Sequence, residues 1–174
     1  RYSDIPVVAA PFNMALGGGC EIAMAADAIR AHGELYMGLV ELGVGLIPAG
    51  TGTKELLFST MERIPEGMDV DLLPYVGRVF EAIAMAKVST SAEEAKSIGF
   101  LNPRDGITMH RDHLLHDAKA TALGMANAGY RRPPPRKVKA MGRPGFAALK
   151  TMVGNLVEAG RASEHDGKLA THVA

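Results

Sequence analysis

A chain of 174 residues, 47% of them hydrophobic, supplies enough material for one domain with a sizeable core. Acidic and basic residues are equal in number, 19 of each, which argues against a nucleic acid or a membrane surface as a partner recognised through bulk charge. No apolar stretch is long enough for a transmembrane span.

The chain has one cysteine, Cys20, which excludes an internal disulfide and indicates a reducing compartment. We therefore expect a cytoplasmic location. The sequence opens at Arg1 without an initiator methionine, runs almost at once into an apolar segment, and ends on LATHVA. We expect it to be a piece of a longer polypeptide.

The first predicted elements are a strand, a glycine turn and a helix. Residues 5–12 (IPVVAAPF) are apolar and few, which is typical of a strand buried on both faces. Three glycines at 17–19 can adopt positive φ and let a ligand lie against backbone N–H groups. From Cys20, small apolar residues predict a helix that is buried nearly all round, with Glu21 in its first turn. A second strand is predicted over Ala28–His32.

The next segment is predicted to be extended and then irregular. Residues 34–42 form a third extended piece that contains Glu41. The glycine-rich loop over residues 43–55 is typical of loops that line binding sites. A helix is expected to begin near Thr51 or Thr53, because threonine is a good N-cap residue.

The second half of the chain is predicted to be largely helical. An amphipathic helix with Pro74 in its first turn covers residues 71–87. A short helix runs from a Ser91 cap to Gly99, and Glu94 completes a capping box.

Further along, we predict a turn over residues 101–106 and an alanine-rich helix over residues 108–128. Residues 129–139 read as a proline-rich linker whose cations keep it in solvent. Beyond this linker, the apolar spacing predicts a last helix whose stripe needs a partner. We divide the chain into a core over residues 1–105 and a C-terminal helical region over residues 106–174.

Two carboxylates are the candidates for chemistry, Glu21 and Glu41. A general acid and base pair needs two carboxyl groups that face one reacting centre in environments that hold their pKa values apart. The alternatives are that Glu21 only complements the helix dipole and that Glu41 is solvated at a strand end. Nucleotide binding fits less well, since neither a G-x-G-x-x-G after the strand nor a G-x-x-x-x-G-K-[ST] occurs.

Three blocks of sequence resemble the enoyl-CoA hydratase (crotonase) superfamily: ALGGGCEIAMAADAIRA, GLVELGVGLIPAGTGTKEL and STSAEEAKSIGFLN. They come in the family's order and at nearly its spacing, within residues 5–103. The resemblance implies an α/β fold, a crotonase-like spiral of ββα units closed by C-terminal helices, here truncated. It also implies an acyl-CoA thioester as the substrate, and we expect a homo-oligomer.

By motif position, the resemblance implies that Glu21 and Glu41 hold and activate the water that adds across a 2-enoyl double bond. It assigns to the N–H of Gly18 the stabilisation of the oxyanion, and the loss of one such donor typically costs about 3–4 kcal/mol of transition-state stabilisation. Five further residues are expected to contact the substrate: Gly17, Gly19, Leu39, Pro48 and Gly50. No metal is expected.

Some features depart from compact hydratases. Val40 stands where the family often has a proline, and the segment before STSAEEA and the proline-rich linker are atypical. Both segments resemble the hydratase-like half of fused 3-hydroxyacyl-CoA dehydrogenases of fatty acid β-oxidation, in which the other half binds NAD and this piece holds no cofactor. The N-terminal part of the fold, with the second oxyanion N–H, lies outside the resemblance, so the piece alone is expected to be inactive. A non-catalytic structural domain of such a dehydrogenase and an enoyl-CoA isomerase remain alternatives.

Two polar clusters have less specific patterns. Three histidines recur at every third position: His110, His113 and His116. A solvated face is expected there rather than a metal site. Five cations flank the prolines of the linker: Arg131, Arg132, Arg136, Lys137 and Lys139. They are candidates for contact with CoA phosphates, although a solvated linker is the expected state. Cys20 is expected to be a small buried residue rather than a nucleophile.

Overall fold

The computed structural model describes residues 2–65, 67–138 and 140–174. Lys139, one of the linker cations named above, and Arg1 lie outside the described residues. Within the described ranges the chain forms five short strands: β1 (Val8–Ala9), β2 (Met14–Leu16), β3 (Ala28–His32), β4 (Tyr36–Gly38) and β5 (Gly106–Thr108). The seven α-helices of the same ranges are α1 (Gly18–Met24), α2 (Gly52–Met61), α3 (Leu73–Ala84), α4 (Ala92–Ile98), α5 (Leu114–Asn127), α6 (Gly142–Glu158) and α7 (Glu164–Val173).

The strands form two parallel sheets. One sheet has the order β1-β3-β5, with Val8 opposite Ala28, and the other pairs β2 with β4, with Met14 opposite Tyr36. The chain therefore contributes one strand to each sheet, forms α1, contributes the next strand to each sheet, and then forms α2. Parallel neighbours need such crossovers, because a tight turn can only join antiparallel strands. This repeat is the ββα unit predicted from the sequence.

Helices α2, α3, α6 and α7 bury apolar side chains against neighbouring helices. α2 packs on α1 and α3, α3 packs on α6, and α6 packs on α7. The core they share includes Leu56, Phe80, Ile83, Leu149 and Val153, which are all buried. The apolar stripe predicted for α6 is buried in part: Leu149 and Val153 are buried where α6 packs on α3 and α7, whereas Phe146 and Met152 are exposed. Burial of each such side chain contributes about 1.5–3 kcal/mol.

Several elements are confirmed where local signals define both ends. β3 occupies Ala28–His32 as predicted, and Pro74 lies in the first turn of α3. The Ser91 hydroxyl caps α4 by accepting a hydrogen bond from the Glu94 N–H, and Gly99 ends the helix at a φ of 118°. The Glu94 carboxylate bonds Thr90 instead of the Ser91 N–H, so the predicted capping box is only half formed.

The predicted burial of the first segment is wrong. In residues 5–12 only Val8–Ala9 is a strand, and Ile5 is 70% exposed. The physical reason is that β1 lies at the edge of its sheet among the described strands, so one side of the segment has no neighbour. The helix after the glycines is not buried all round either, because Ile22 is 77% exposed on the face of α1 that points away from the core.

Three further differences concern element types. Glu41 begins a 3-10 helix, Glu41–Val44, and does not continue the extended piece. Part of the predicted 101–106 turn and 108–128 helix is instead strand β5, and α5 starts only at Leu114. α7 was not predicted, although Ser163 and Asp166 form a full capping box at its start.

Candidate active site

Glu21 is buried and tied to the start of a second helix. It lies in the first turn of α1 and is 9% exposed. Its Oε1 accepts hydrogen bonds from the N–H of Thr51 at 2.9 Å and from the N–H of Gly52 at 2.8 Å. These two amides stand at the N-terminus of α2, so the Glu21 carboxylate caps that helix from thirty-one positions away. The predicted helix start at Thr51 is confirmed, but the Thr51 side chain makes no capping bond.

Small residues surround the Glu21 carboxylate. A Cβ added at Gly50 would overlap with Glu21 Oε2 and lie 2.8 Å from Cδ. A Cβ at Gly52 would lie 3.0 Å from Glu21 Oε1 and would overlap with the fully buried side chain of Leu39. Of the predicted substrate contacts in this block, Gly50 therefore lies against Glu21, and Leu39 supports the turn into α2. Pro48 is buried in the loop that leads there.

Glu41 carries the unpaired carboxylate oxygen of the site. Its Oε1 lies 3.3 Å from the position that a Cβ on Gly17 would occupy. Its Oε2 is buried and has no hydrogen-bond partner among the described residues. Burial raises the pKa of Glu41 above its ordinary value, and the negative charge of Glu21 raises it further, while the N–H groups of Glu41 and Val40 offset part of the rise. The two carboxylates are therefore close enough to repel each other.

The glycine turn joins the two acidic residues. Gly17 is the N-cap of α1 with φ 54° and ψ −127°, and its N–H donates to the carbonyl of Gly38 at 2.9 Å. Gly18 and Gly19 have ordinary helical conformations, so the predicted positive φ is found only at Gly17 of the three. Both are exposed, with nothing within 4 Å of where a Cβ would lie. The N–H of Gly18 belongs to the first turn, whose donors have no intrahelical acceptor.

Cys20 lies between these groups but is not a nucleophile. Its side chain is fully buried, with Sγ 3.7 Å from the Sδ of Met24. Burial raises the pKa of the thiol far above its ordinary value, and the charges of Glu41 and Glu21 raise it further. Since the thiolate is the reactive form, this thiol is inert.

An open apolar groove borders the start of α1. It has a volume of about 710 Å³, and its walls include Phe12, Met14, Gly19, Ile22 and Tyr36. The groove follows the exposed side of α1 and of strands β1 and β2. Its size is within the range of sites that take small organic ligands.

One of the linker cations has a different place from the one predicted. Arg136 is not solvated: its side chain is 14% exposed, and it pairs with Glu55 on α2 and with Glu62, the residue that follows α2. Its guanidinium also lies 4.2 Å from the centre of the Phe58 ring. Arg131 and Lys137 are exposed, as expected for a solvated segment. No sequence signal distinguished Arg136 from its neighbours.

The histidine cluster holds no metal ligands in a usable arrangement. His110 and His113 stack with ring centres 4.9 Å apart on the surface. Across residues 2–65, 67–138 and 140–174, no three acidic, histidine or cysteine side chains come together as a metal site. None of the helices in the same ranges is both long enough and apolar enough to cross a bilayer.

Comparison with known proteins relates the chain to enzymes of fatty acid oxidation. The whole chain is 47% identical over 174 residues to a probable 3-hydroxyacyl-CoA dehydrogenase of Bacillus subtilis, of which it covers 21%. A protein of Rickettsia prowazekii named as a trifunctional enzyme of the fatty acid oxidation complex is 31% identical over 118 residues, which are 68% of this chain and 15% of that protein. No family model matches.

A solved structure shows the same fold. The enoyl-CoA hydratase of Bacillus anthracis superposes with a TM-score of 0.55 at 24% identity, over 97% of this chain and 54% of that one. The chain therefore has the crotonase fold. As a crotonase-like chain it is related to fatty acid oxidation enzymes, and it spans about a fifth or less of the length of the two relatives above.

Proposed function

We propose that this crotonase-like chain carries the acid–base machinery of an enoyl-CoA hydratase, which adds water to a trans-2-enoyl-CoA. The observation that carries the proposal is the pair of neighbouring carboxylates, of which Glu41 keeps a buried oxygen with no partner among the described residues. A buried unpaired carboxylate oxygen costs free energy unless a ligand or water supplies a donor. A buried carboxylate with a perturbed pKa is typical of catalytic sites.

The two carboxylates differ in a way that suggests their roles. One oxygen of Glu21 is held by two backbone N–H groups, which leaves Oε2 as the oxygen that can accept a proton from water. Glu41 has a raised pKa and is therefore the better proton donor. In this mechanism the water oxygen bonds to the β-carbon of the enoyl group as its proton passes to Glu21. The electron pair of the double bond moves to the thioester oxygen, and Glu41 then protonates the α-carbon.

The turn at the start of α1 supports the negative charge that this step creates. We assign the thioester oxygen to the N–H of Gly18, where a helix N-terminus favours an anion. The glycines matter because a side chain at this place would keep the ligand from the backbone. The groove that passes Gly19 and Ile22 is our candidate path for the thioester.

The relatives suggest the larger reaction. The Bacillus subtilis relative is named as a dehydrogenase, and it is nearly five times longer than the part matched here. We propose that the protein containing this chain also carries an NAD-dependent 3-hydroxyacyl-CoA dehydrogenase part. Hydration yields a 3-hydroxyacyl-CoA, which such a part would oxidise, and the isolated chain would lack turnover without the rest of the crotonase fold.

Ligand-dependent thermal stability tests the proposal. Butyryl-CoA at ten times its Kd should stabilise the folded protein by about 1.4 kcal/mol, which raises Tm by about 3–6 °C for a chain of this size. Free CoA should give a smaller shift, because it lacks the thioester carbonyl that Gly18 binds. No shift with butyryl-CoA, in either this chain or the longer protein that contains it, would contradict the proposal.

A further inference from the structure

Outside the two carboxylates, Arg136 makes an extensive set of polar and aromatic contacts. Residues 130–138 have neither helix nor strand, yet Arg136 is held by two residues of α2 and by the residue that follows it. One guanidinium nitrogen bonds Glu55, another bonds Glu62 at 3.2 Å, and the plane lies over Phe58. These three partners recur at positions i, i+3 and i+7, which form one face of the helix. Arg136 therefore contacts α2 and its C-terminal end over two helical turns.

The same helix holds Glu21 at its N-terminus. Glu55 lies in the first turn, where its N–H donates to the carbonyl of Thr51 at 2.9 Å. Thr51 and Gly52 in turn donate to Glu21. Glu55 is three residues from Gly52, which is about 4.5 Å along a helix axis. A displacement of the Glu55 carboxylate therefore also displaces the Thr51 and Gly52 amides that hold Glu21, because one helical turn joins them.

Arg136 also faces the end of the helix that carries Glu21. The guanidinium and Asp27 line one small polar cavity, and Asp27 follows α1 by three residues. Oδ2 of Asp27 accepts a hydrogen bond from the N–H of Val7 at 2.8 Å. Arg136 is therefore placed where α2 meets the turn after α1, and these are the two supports of Glu21.

We propose that Arg136 is a positioning residue that fixes the Glu21 carboxylate by holding the first turn of α2 in place. The catalytic role of Arg136 rests on the function proposed above, whereas its structural role in holding α2 does not. Glu55 is 5% exposed and keeps Lys54 as a second cation at 3.5 Å, so loss of the arginine weakens the grip without leaving Glu55 unpaired. The planar guanidinium group is needed for this set of contacts. A lysine can bond Glu55, but it cannot span Glu55 and Glu62 while lying flat on Phe58.

Amide hydrogen exchange of the chain tests the structural claim. In Arg136→Gln, exchange at Thr51 and Gly52 should become at least about tenfold faster, because these amides open with the first turn of α2. Exchange at Met37 in β4, whose N–H donates to the Ser89 hydroxyl and which lies outside the cavity that Arg136 lines, should stay within about twofold of the wild type. The matched control is Lys137→Gln, which removes the adjacent exposed cation and should leave all three amides unchanged.

Two outcomes of this experiment would overturn the proposal. One is unchanged exchange at Thr51 and Gly52, and the other is equal acceleration at Met37, which would mean a general structural role. Arg136→Lys should restore part of the protection, and failure to restore any would also contradict the proposal. Should Arg136→Gln fail to fold, Glu55→Gln combined with Arg136→Gln removes both charges and is expected to show the same local pattern.

Turnover then separates this proposal from the function itself. In the longer protein, Arg136→Gln should lower kcat about tenfold and leave KM within about twofold, since the arginine acts on the orientation of a catalytic group and not on substrate affinity. Lys119→Gln, which removes an exposed cation of α5, should leave both unchanged. Absence of hydratase turnover in the wild type would refute the proposed function, while the exchange pattern would still decide whether Arg136 positions Glu21.

Discussion

Glu21 should contribute to stability through its acceptor oxygens rather than through its charge. Glu21→Ala removes both bonds to the amides of α2, and it leaves the buried Gly52 N–H without an acceptor. Glu21→Gln keeps an oxygen of the same geometry in the same place. The alanine variant should therefore unfold more easily than the glutamine variant, although both lose the same charge.

The structure sets the size of the difference. A hydrogen bond to a charged group is worth about 1.5–3 kcal/mol, and loss of a helix N-cap costs about 0.5–2 kcal/mol. Relief of the repulsion with Glu41 offsets part of this loss, so Glu21→Ala should cost about 2–3 kcal/mol. Glu21→Gln forfeits only the attraction of a charge for the helix dipole, about 0.3–1 kcal/mol, and gains the same relief.

Thermal unfolding followed by circular dichroism measures these values. We expect a fall in Tm of about 5–10 °C for Glu21→Ala and of less than about 3 °C for Glu21→Gln, at 2–4 °C per kcal/mol. Denaturant unfolding at a constant m-value provides the matching free energies. Equal losses in the two variants, or an alanine variant as stable as the wild type, would refute the capping role of Glu21.

Three further predictions use neighbouring residues. Glu41→Gln should raise the free energy of unfolding at neutral pH by about 0.5–1 kcal/mol. The reason is that the pKa of Glu41 is raised in the folded state, so its ionised form opposes folding. The gain, followed as a difference in Tm, should therefore shrink as the pH falls towards 4.5, the ordinary pKa of this group. Gly18→Ala should leave Tm unchanged or slightly higher, because its Cβ meets nothing, yet abolish stabilisation by butyryl-CoA; retained ligand stabilisation would contradict the oxyanion role. Gly50→Ala should lower Tm by at least about 2 °C because its Cβ overlaps with Glu21, whereas the control Gly124→Ala, in an open helical position, should raise stability by up to about 1 kcal/mol; a neutral Gly50→Ala would show that the carboxylate moves freely.

The sequence predicted those parts of the fold whose signals are local. Ser91 and Gly99 define α4 because cap residues act within one turn of their own helix. The start of α2 was predicted near Thr51 or Thr53, and the structure has it at Thr51. The residue that caps it is Glu21, and no local pattern indicates a partner thirty-one positions away. Tertiary contacts of this kind supply hydrogen bonds that a sequence window does not contain.

Burial was predicted less well than element type. The residues after Glu21 in α1 gave no clue that Ile22 points outward, since Ile22, Ala23 and Met24 are all apolar. β5 was missed because a three-residue strand carries too little alternation to be distinguished from a turn. Arg136 looked like its neighbours, and only the packing of the segment on α2 separates it from them.

For the site, the motif resemblance made a more specific prediction than the spacing of the residues did. Spacing left Glu21 and Glu41 with ordinary explanations, a dipole partner and a solvated strand end. The fold places Glu21 against the amides of α2 and leaves an oxygen of Glu41 buried beside the glycine turn. Their proximity arises from two ββα units that stack side by side, a relation that neither segment encodes alone.

Glu21 has two roles in this account, which affects how its variants are interpreted. An alanine at this position changes the helix start as well as the chemistry, so a loss of activity in Glu21→Ala has two causes. The glutamine variant keeps the helix cap and removes only the proton acceptor. It is therefore the appropriate substitution for kinetics.

The most direct measurement is hydratase turnover of the longer protein that contains this chain, followed as the loss of enoyl thioester absorbance with crotonyl-CoA. Glu21→Gln and Glu41→Gln should each lower kcat by about 10²–10⁴-fold, the usual contribution of a positioned acid or base, with KM little changed. Rates within about twofold of the wild type in both variants would contradict the claim that these two carboxylates act together on a thioester.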